Sequence, residues 1–185
     1  MSRRTRIGLV VPLVLIAAYF GVTSFIRAHV NDLIQHAVDR RLPEFALTDR
    51  DGRRWSHRDL EGKRAVLHFF RSYCHSCDVE APAIRALEAG LADDTVWLHV
   101  MTDVMLDVDA ATTEATIARK KFQRPILMAD EAFMEKFHKA EWSQVTPITY
   151  VVDADGLVRY GLRGLQTEAS IEAALAAAAV DRSQR

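Results

Sequence analysis

Two cysteines, Cys74 and Cys77, lie three residues apart in the stretch FFRSYCHSCDVEAP, and the chain has no other cysteine. Such a pair could form a redox-active disulfide, could bind a soft metal ion together with His75, or could be two small core residues. Disulfide exchange needs a thiolate that attacks, a second thiol that resolves the mixed disulfide, and access for a partner. At a helix start, unsatisfied backbone N–H groups and the helix dipole would stabilise the anion of Cys74. We therefore predict that Cys74 attacks and that Cys77, one turn inside the helix, resolves.

The apolar pattern around this pair predicts the elements that hold it. Residues 65–70 (AVLHFF) are almost all apolar, which is typical of a strand buried on both faces. A helix is predicted from the cysteines to about Leu91, and residues 95–101 (TVWLHVM) form a second buried strand. The cysteine pair therefore lies where a strand passes into a helix, which is the position expected of a redox CxxC motif.

The remainder of this region alternates hairpins and helices. Turns that end in Gly52 and Gly156 each predict a hairpin, because glycine readily adopts the left-handed conformation needed there. Further elements are predicted as helices at 110–121, 131–138 and 168–180 and a strand at 126–128. This order predicts an α/β fold with a mixed sheet and helices on both faces. We interpret His99 and His138 as structural residues.

The N-terminus is a different kind of segment. Residues 7–26 contain no charge, and their length matches the roughly 30 Å hydrocarbon core of a bilayer at about 1.5 Å per residue. Three arginines lie in residues 1–6, so the positive-inside rule places that segment in the cytoplasm and the following chain outside. The alternative is a cleaved signal peptide, whose apolar core is usually about 7 to 15 residues long. We predict an uncleaved, single-pass transmembrane anchor.

Residues 27–41 have helical apolar spacing, which predicts either a stalk or a continuation of the anchor helix, ended by Pro43. Residues 42–182 have the length of one domain. The formal net charge of −1 gives no reason to expect a nucleic acid partner. Beyond the inner membrane of a bacterium thiols meet oxidants, so a close cysteine pair there either forms a disulfide or handles disulfides.

The chain from about Leu42 to Val180 resembles the membrane-anchored TlpA/ResA branch of the thioredoxin superfamily. Four features carry the resemblance: the entry LPEFALTDRDGRRWSHRDLEGKRAVLHFF, the motif Cys74-His75-Ser76-Cys77, Glu80 and Pro82 after it, and Thr146-Pro147 before ITYVVDADG. The resemblance implies a thioredoxin-like fold with an extra N-terminal hairpin, and a protein-disulfide oxidoreductase without a cofactor. It also implies a periplasmic domain that exchanges disulfides with proteins, more often as a reductant in cytochrome or metalloprotein maturation. A separate membrane or soluble partner must then reset the cysteines.

The resemblance also assigns residues that would meet a substrate. Tyr73 occupies the place of the usual aromatic shield beside the motif. Pro147, if its peptide bond is cis, would leave the Thr146 backbone free to pair with an extended substrate. Arg71 departs from the pattern, because the branch usually has a small uncharged residue there.

Three further residues are candidates for proton transfer or redox tuning. His68 lies six residues before Cys74, where thioredoxins keep a buried carboxylate, and it would carry a proton to or from Cys77. Glu80, one turn beyond Cys77, is the competing proton carrier. His75, if protonated, would favour the thiolate and make the disulfide more oxidising.

Two other functions are weaker alternatives. Two thiolates and His75 could hold Cu(I), but the copper-insertion relatives of this fold place three residues between their cysteines and use a distant histidine. Peroxide reduction in this superfamily requires P-x-x-x-T-x-x-C, and the corresponding positions here are Leu67 and Arg71. Disulfide exchange is therefore the leading prediction.

Overall fold

The computed structural model describes residues 3–137 and 139–180, so His138 and the predicted domain end at residue 182 lie outside the described residues. The chain divides into two compact units, one up to Leu33 and one from Ile34 onward. The first unit is formed by helix α1 (Arg3–Gln35). Its segment Val11–Gln35 is long and apolar enough to cross a membrane, with a mean hydropathy of 1.7.

The predicted helix end at Pro43 is wrong, because α1 already ends at Gln35. Residues 36–39 form a turn after the helix, and Asp39 at its end has a left-handed φ of 61°. Asp39 N donates to the carbonyl oxygen of Val158 at 2.7 Å, and Val158 N donates to the carbonyl oxygen of Arg40 at 2.9 Å. These bonds take the chain out of the helix and along the edge of the sheet described next.

The second unit contains the sheet and the remaining helices. In chain order its elements are β1 (Ala46–Thr48), β2 (Arg54–Ser56), β3 (Arg64–Phe70), α2 (His75–Ala89), β4 (Thr95–Met101), α3 (Ala110–Lys120), β5 (Ile126–Met128), α4 (Glu131–Phe137), β6 (Ile148–Val152), β7 (Val158–Arg163) and α5 (Glu168–Val180). The main sheet has the order β5-β4-β3-β6-β7, with β3, β4 and β5 parallel and the other pairs antiparallel. The predicted α/β architecture with a mixed sheet is therefore confirmed.

Helices cover both faces of this sheet. On one face, α2 and α5 contribute Ile84, Leu87 and Ile171 to a core that includes Val66 of β3. On the other face, Phe133 of α4 stacks on Phe69 of β3 at 5.9 Å between ring centroids. Strands β3 and β6 are almost entirely buried, as their apolar sequences predict.

The two predicted hairpins are present, and they use the same turn chemistry. Asp49 Oδ1 accepts hydrogen bonds from the backbone N–H groups of residues 51 and 53, and Asp153 Oδ1 accepts them from residues 155 and 157. Gly52 and Gly156 have φ of 83° and 77°, as predicted for the left-handed position of each turn. The first hairpin, β1–β2, forms a separate two-stranded sheet and is the predicted extra N-terminal hairpin.

Candidate active site

Cys74 and Cys77 form a disulfide at the N-terminus of α2. Cys74 is the N-cap residue, and the backbone N–H of Cys77 donates to its Sγ at 3.1 Å. Cys77 is fully buried, whereas Cys74 is 6% exposed. After reduction, the same N–H and the helix dipole would stabilise a thiolate at Cys74. Of the two cysteines, Cys74 is therefore the less buried and the one whose thiolate the helix start would stabilise.

The peptide bond between Thr146 and Pro147 is cis, and this segment lies against the disulfide. The carbonyl oxygen of Thr146 is 3.7 Å from Cys74 Sγ. Gly164 N donates to the Pro147 carbonyl oxygen at 2.8 Å, which fixes the segment before β6. Thr146 and Pro147, two of the three residues predicted to bind a substrate, are thus beside the disulfide, and their binding role stays a prediction.

The loop between β3 and α2 is held by Arg71. Its Nε donates to the carbonyl oxygen of Gln144 at 3.2 Å, and its Nη1 donates to those of Ser72 and Tyr73 at 2.8 and 3.2 Å. Arg71 therefore ties the loop that carries the cysteines to the segment that precedes the cis-proline. Tyr73 has a left-handed φ of 53°, and the residue is 75% exposed next to Cys74. An exposed aromatic ring at this place is available to an incoming polypeptide.

A buried carboxylate below this loop was not predicted from the sequence. Asp103 is fully buried and accepts hydrogen bonds from Ser72 N at 2.7 Å, Ser72 Oγ at 2.6 Å and Thr113 Oγ1 at 2.8 Å. These bonds satisfy the carboxylate and fix the backbone two residues before Cys74. The only sequence signal for this contact is the polar pair Thr102-Asp103 after the apolar strand β4.

His68 and Glu80, predicted as competing proton carriers, are hydrogen-bonded to each other. Both side chains are fully buried, and His68 Nε2 is 2.8 Å from Glu80 Oε1. Glu80 lies one turn after Cys77 on the same helix, so its carboxylate and that sulfur share a buried helix face. The backbone N–H of Gln166 donates to Glu80 Oε2 at 3.2 Å. The two candidates therefore form one unit.

His99, which the sequence indicated only as a structural residue, extends this unit. His68 Nδ1 is 3.0 Å from His99 Nδ1, and His99 Nε2 is 2.7 Å from Glu88 Oε1. Burial lowers the pKa of His99 to about 4, against the opposing effect of its hydrogen bond to Glu88. Burial would raise the pKa of Glu88, but hydrogen bonds from His99 and from the backbone N–H groups of Gln123 and Arg124 bring it below its usual value.

His75 is the first residue of α2 and is exposed beside Cys74. Its predicted effect on the disulfide stays a prediction. Among residues 3–137 and 139–180, no group of three or more His, Cys, Asp or Glu side chains is arranged to hold a metal ion.

Comparison with known proteins agrees with this geometry. The AhpC/TSA family matches residues 38–161. Thiol-disulfide oxidoreductase ResA of Bacillus anthracis is 24% identical over 175 residues, which cover 93% of this chain and 95% of that protein. The crystal structure of StoA from Bacillus subtilis superposes with a TM-score of 0.58 at 20% identity, covering 75% of this chain and 98% of that chain. The exposed lipoprotein thioredoxin of Streptococcus pneumoniae superposes with a TM-score of 0.61 at 20% identity, covering 72% of this chain and 98% of that chain.

The fold and the disulfide at the start of α2 define a class of protein, the thiol–disulfide oxidoreductases with a thioredoxin-like fold. Within it, the chain belongs to the AhpC/TSA family, whose match covers most of its length. The resemblance stated from the sequence and the predicted thioredoxin-like fold are thereby confirmed.

Proposed function

We propose that this chain is a membrane-anchored enzyme that exchanges disulfides with protein substrates in the bacterial periplasm. The observation that supports this most directly is the Cys74–Cys77 disulfide at a helix N-terminus, with the cis Thr146–Pro147 segment against it. In the proposed reaction Cys74 attacks and Cys77 resolves. Tyr73 and the Thr146 backbone contact the substrate, and His75 tunes the disulfide.

The proposed direction is reduction of substrate disulfides. The Cys74 thiolate attacks one sulfur of the substrate disulfide, which forms a mixed disulfide and releases one substrate thiolate. Cys77 then loses its proton and attacks Cys74 Sγ, which releases the second substrate thiolate. The enzyme has been oxidised by two electrons and the substrate reduced by two. A separate membrane or soluble partner supplies two electrons to restore the dithiol.

The proposed location rests on helix α1 and on charge. The span Val11–Gln35 is sufficiently apolar for one crossing, and the arginines of residues 3–6 precede it. This orientation keeps the catalytic domain in the periplasm, anchored at the inner membrane. The substrates that fit a reductant there are proteins whose cysteines must be free before haem or a metal is attached, such as apocytochromes and metalloprotein precursors.

Trapping of mixed disulfides tests the proposal. A Cys77→Ala chain in its native membrane cannot complete the exchange, so substrates should accumulate as adducts on Cys74. On a non-reducing gel these adducts should vanish with a reductant and should be missing from the Cys74→Ala control. Adducts that appear equally in both variants, or in neither, would contradict the proposal.

A further inference from the structure

Four buried side chains form an unbroken chain of contacts behind the disulfide. Glu80 lies 2.8 Å from His68, His68 lies 3.0 Å from His99, and His99 lies 2.7 Å from Glu88. All four residues are at most 1% exposed. Each ring uses both of its nitrogens within the chain, so neither histidine has a ring nitrogen left for water or another partner.

Two elements build this arrangement. His68 of β3 and His99 of β4 are partners in the parallel register, which places both rings on one face of the sheet. Glu80 and Glu88 lie two helical turns apart on α2, with the fully buried Ile84 between them. Helix α2 therefore carries one carboxylate to each end of the histidine pair.

The contacts require a particular number of protons. Three hydrogen bonds in a row need three hydrogens, but two neutral imidazoles between two carboxylates supply only two. With two protons, one of the three short contacts would place two lone pairs against each other. This two-proton state is consequently a base that gains the missing third hydrogen bond when it accepts one more proton.

The third proton can lie at either end of the chain. If it enters at Glu80, transfer from Glu80 to His68, from His68 to His99 and from His99 to Glu88 leaves every contact hydrogen-bonded. The starting state has a neutral Glu80 and an anionic Glu88. After the transfer, Glu80 is anionic and Glu88 is neutral. No heavy atom has to move for this exchange.

We propose that these four side chains act as one proton relay for Cys77, in which Glu80 exchanges the proton with Cys77 and the two imidazoles and Glu88 share it. This inference rests on the proposed function. It adds His99 and Glu88, as positioning residues, to the residues that support disulfide exchange. In the resolving step the S–H bond of Cys77 breaks, its proton passes to the relay, and its electron pair forms the bond to Cys74 Sγ. The substrate thiolate leaves with the electron pair of the broken mixed disulfide.

The groups around the relay stabilise negative charge at both of its ends. Lys120 of α3 is buried, lies 2.8 Å from Asp78 and interacts electrostatically with Glu80, so it stabilises negative charge at that end. At the other end, Glu88 accepts from the backbone N–H groups of Gln123 and Arg124 at 3.0 to 3.2 Å. The lowered pKa values of His99 and Glu88 agree with a neutral ring and an anionic carboxylate before the third proton arrives.

Single-turnover reaction with oxidised glutathione separates the two chemical steps. Attack by Cys74 gives a glutathionylated chain, and resolution by Cys77 then gives the internal disulfide and a second glutathione; acid quenching and mass spectrometry count both. The variant that distinguishes a proton relay from a structural role is His99→Gln. A glutamine can donate a hydrogen bond to Glu88 and accept one from His68, but it cannot pass a proton on. Glu88→Gln is the second variant, and Glu172→Gln on the exposed face of α5 is the matched control.

For His99→Gln in the full-length chain, resolution at pH 7 should be about tenfold slower, with the midpoint of its pH profile displaced to higher pH, because the relay accepts the proton less readily. The rate of attack by Cys74 should be unchanged. Glu88→Gln should move the profile in the same direction, and Glu172→Gln should leave it in place.

The relay is overturned in favour of a structural role if the pH profile of resolution in His99→Gln has the same midpoint as in the wild type. It is also overturned if attack and resolution slow equally and the melting temperature falls. If the wild-type chain never becomes glutathionylated, the proposed function itself fails, so the two failures are distinguishable. If Glu88→Gln does not fold, His99→Gln decides alone.

Discussion

His99 carries the clearest pH dependence of any single residue described. Burial lowers its pKa from 6.5 to about 4, so between those values the unfolded chain binds a proton there that the folded chain does not. The free energy of unfolding must therefore decrease as the pH falls through this window. At about 1.36 kcal/mol per pKa unit, the loss attributable to His99 is about 3 kcal/mol.

His99→Gln should remove this part of the pH dependence. We expect urea unfolding of the full-length chain in detergent, followed by tryptophan fluorescence, to give a shallower loss of stability from pH 6.5 to 4 in the variant than in the wild type. Parallel stability curves for the two chains would show that His99 does not titrate differently in the folded and unfolded states.

At the same scale, the sequence predicted where the cysteine pair and Glu80 lie better than it predicted the residues that contact them. Cys74, Cys77 and Glu80 follow from local spacing, because a motif at a strand–helix junction needs no long-range information. The contact of His68 with His99 depends on the register of two strands, and the contact of Ser72 with Asp103 depends on where β4 ends beside β3. Spacing along the chain does not contain that information, so these partners appear only in three dimensions.

Among the elements, strand β7 has one position at which no side chain fits. A Cβ on Gly161 would lie 2.6 Å from Ile34 Cγ2 and 3.2 Å from Tyr150 Cε1. Gly161→Ala should therefore lower the free energy of unfolding by about 1 to 3 kcal/mol, since the crowded neighbours must shift. Thermal or urea unfolding measures this effect.

The matched control for that substitution is Gly90→Ala at the end of α2. A Cβ there meets no atom closer than 3.8 Å, so its stability should stay near that of the wild type. Equal stability of the two variants would mean that β7 has room to move away from Ile34.

Element boundaries were predictable where they depend on local chemistry. The buried runs of β3 and β4, the Asp–Gly turns and the cap of α5 by Thr167 are all set by neighbouring residues. The end of α1 was not predictable, because the hydrogen bonds that hold residues 39–42 outside the helix are made with Gly156 and Val158, more than a hundred residues later. Pro43 stood close to the boundary without causing it.

At the scale of the whole molecule, the proposed anchor lets us predict whether the N-terminal segment is cleaved and on which side of the membrane the domain lies. The mature protein should retain residues 7–26 and resist extraction from membranes by alkaline carbonate, because an uncleaved apolar helix holds it. Protease added to intact spheroplasts should digest the domain from Leu42 onward. An N-terminus that begins after residue 26 would instead identify the segment as a signal peptide, and digestion only after lysis would reverse the orientation.

The way in which the outer strands of the main sheet are covered affects how readily copies of this chain aggregate. Asp49 bridges Leu127 of β5, and Arg41 bridges Leu157 directly before β7, so residues from the N-terminal side of the domain pair with part of each outer edge. An open strand edge is a template on which another chain can add a strand. Proteins anchored in one membrane diffuse in two dimensions and meet far more often than at the same number in free solution. Partly covered edges would lower the chance that copies of this chain, held in one membrane as proposed, fuse their sheets into aggregates.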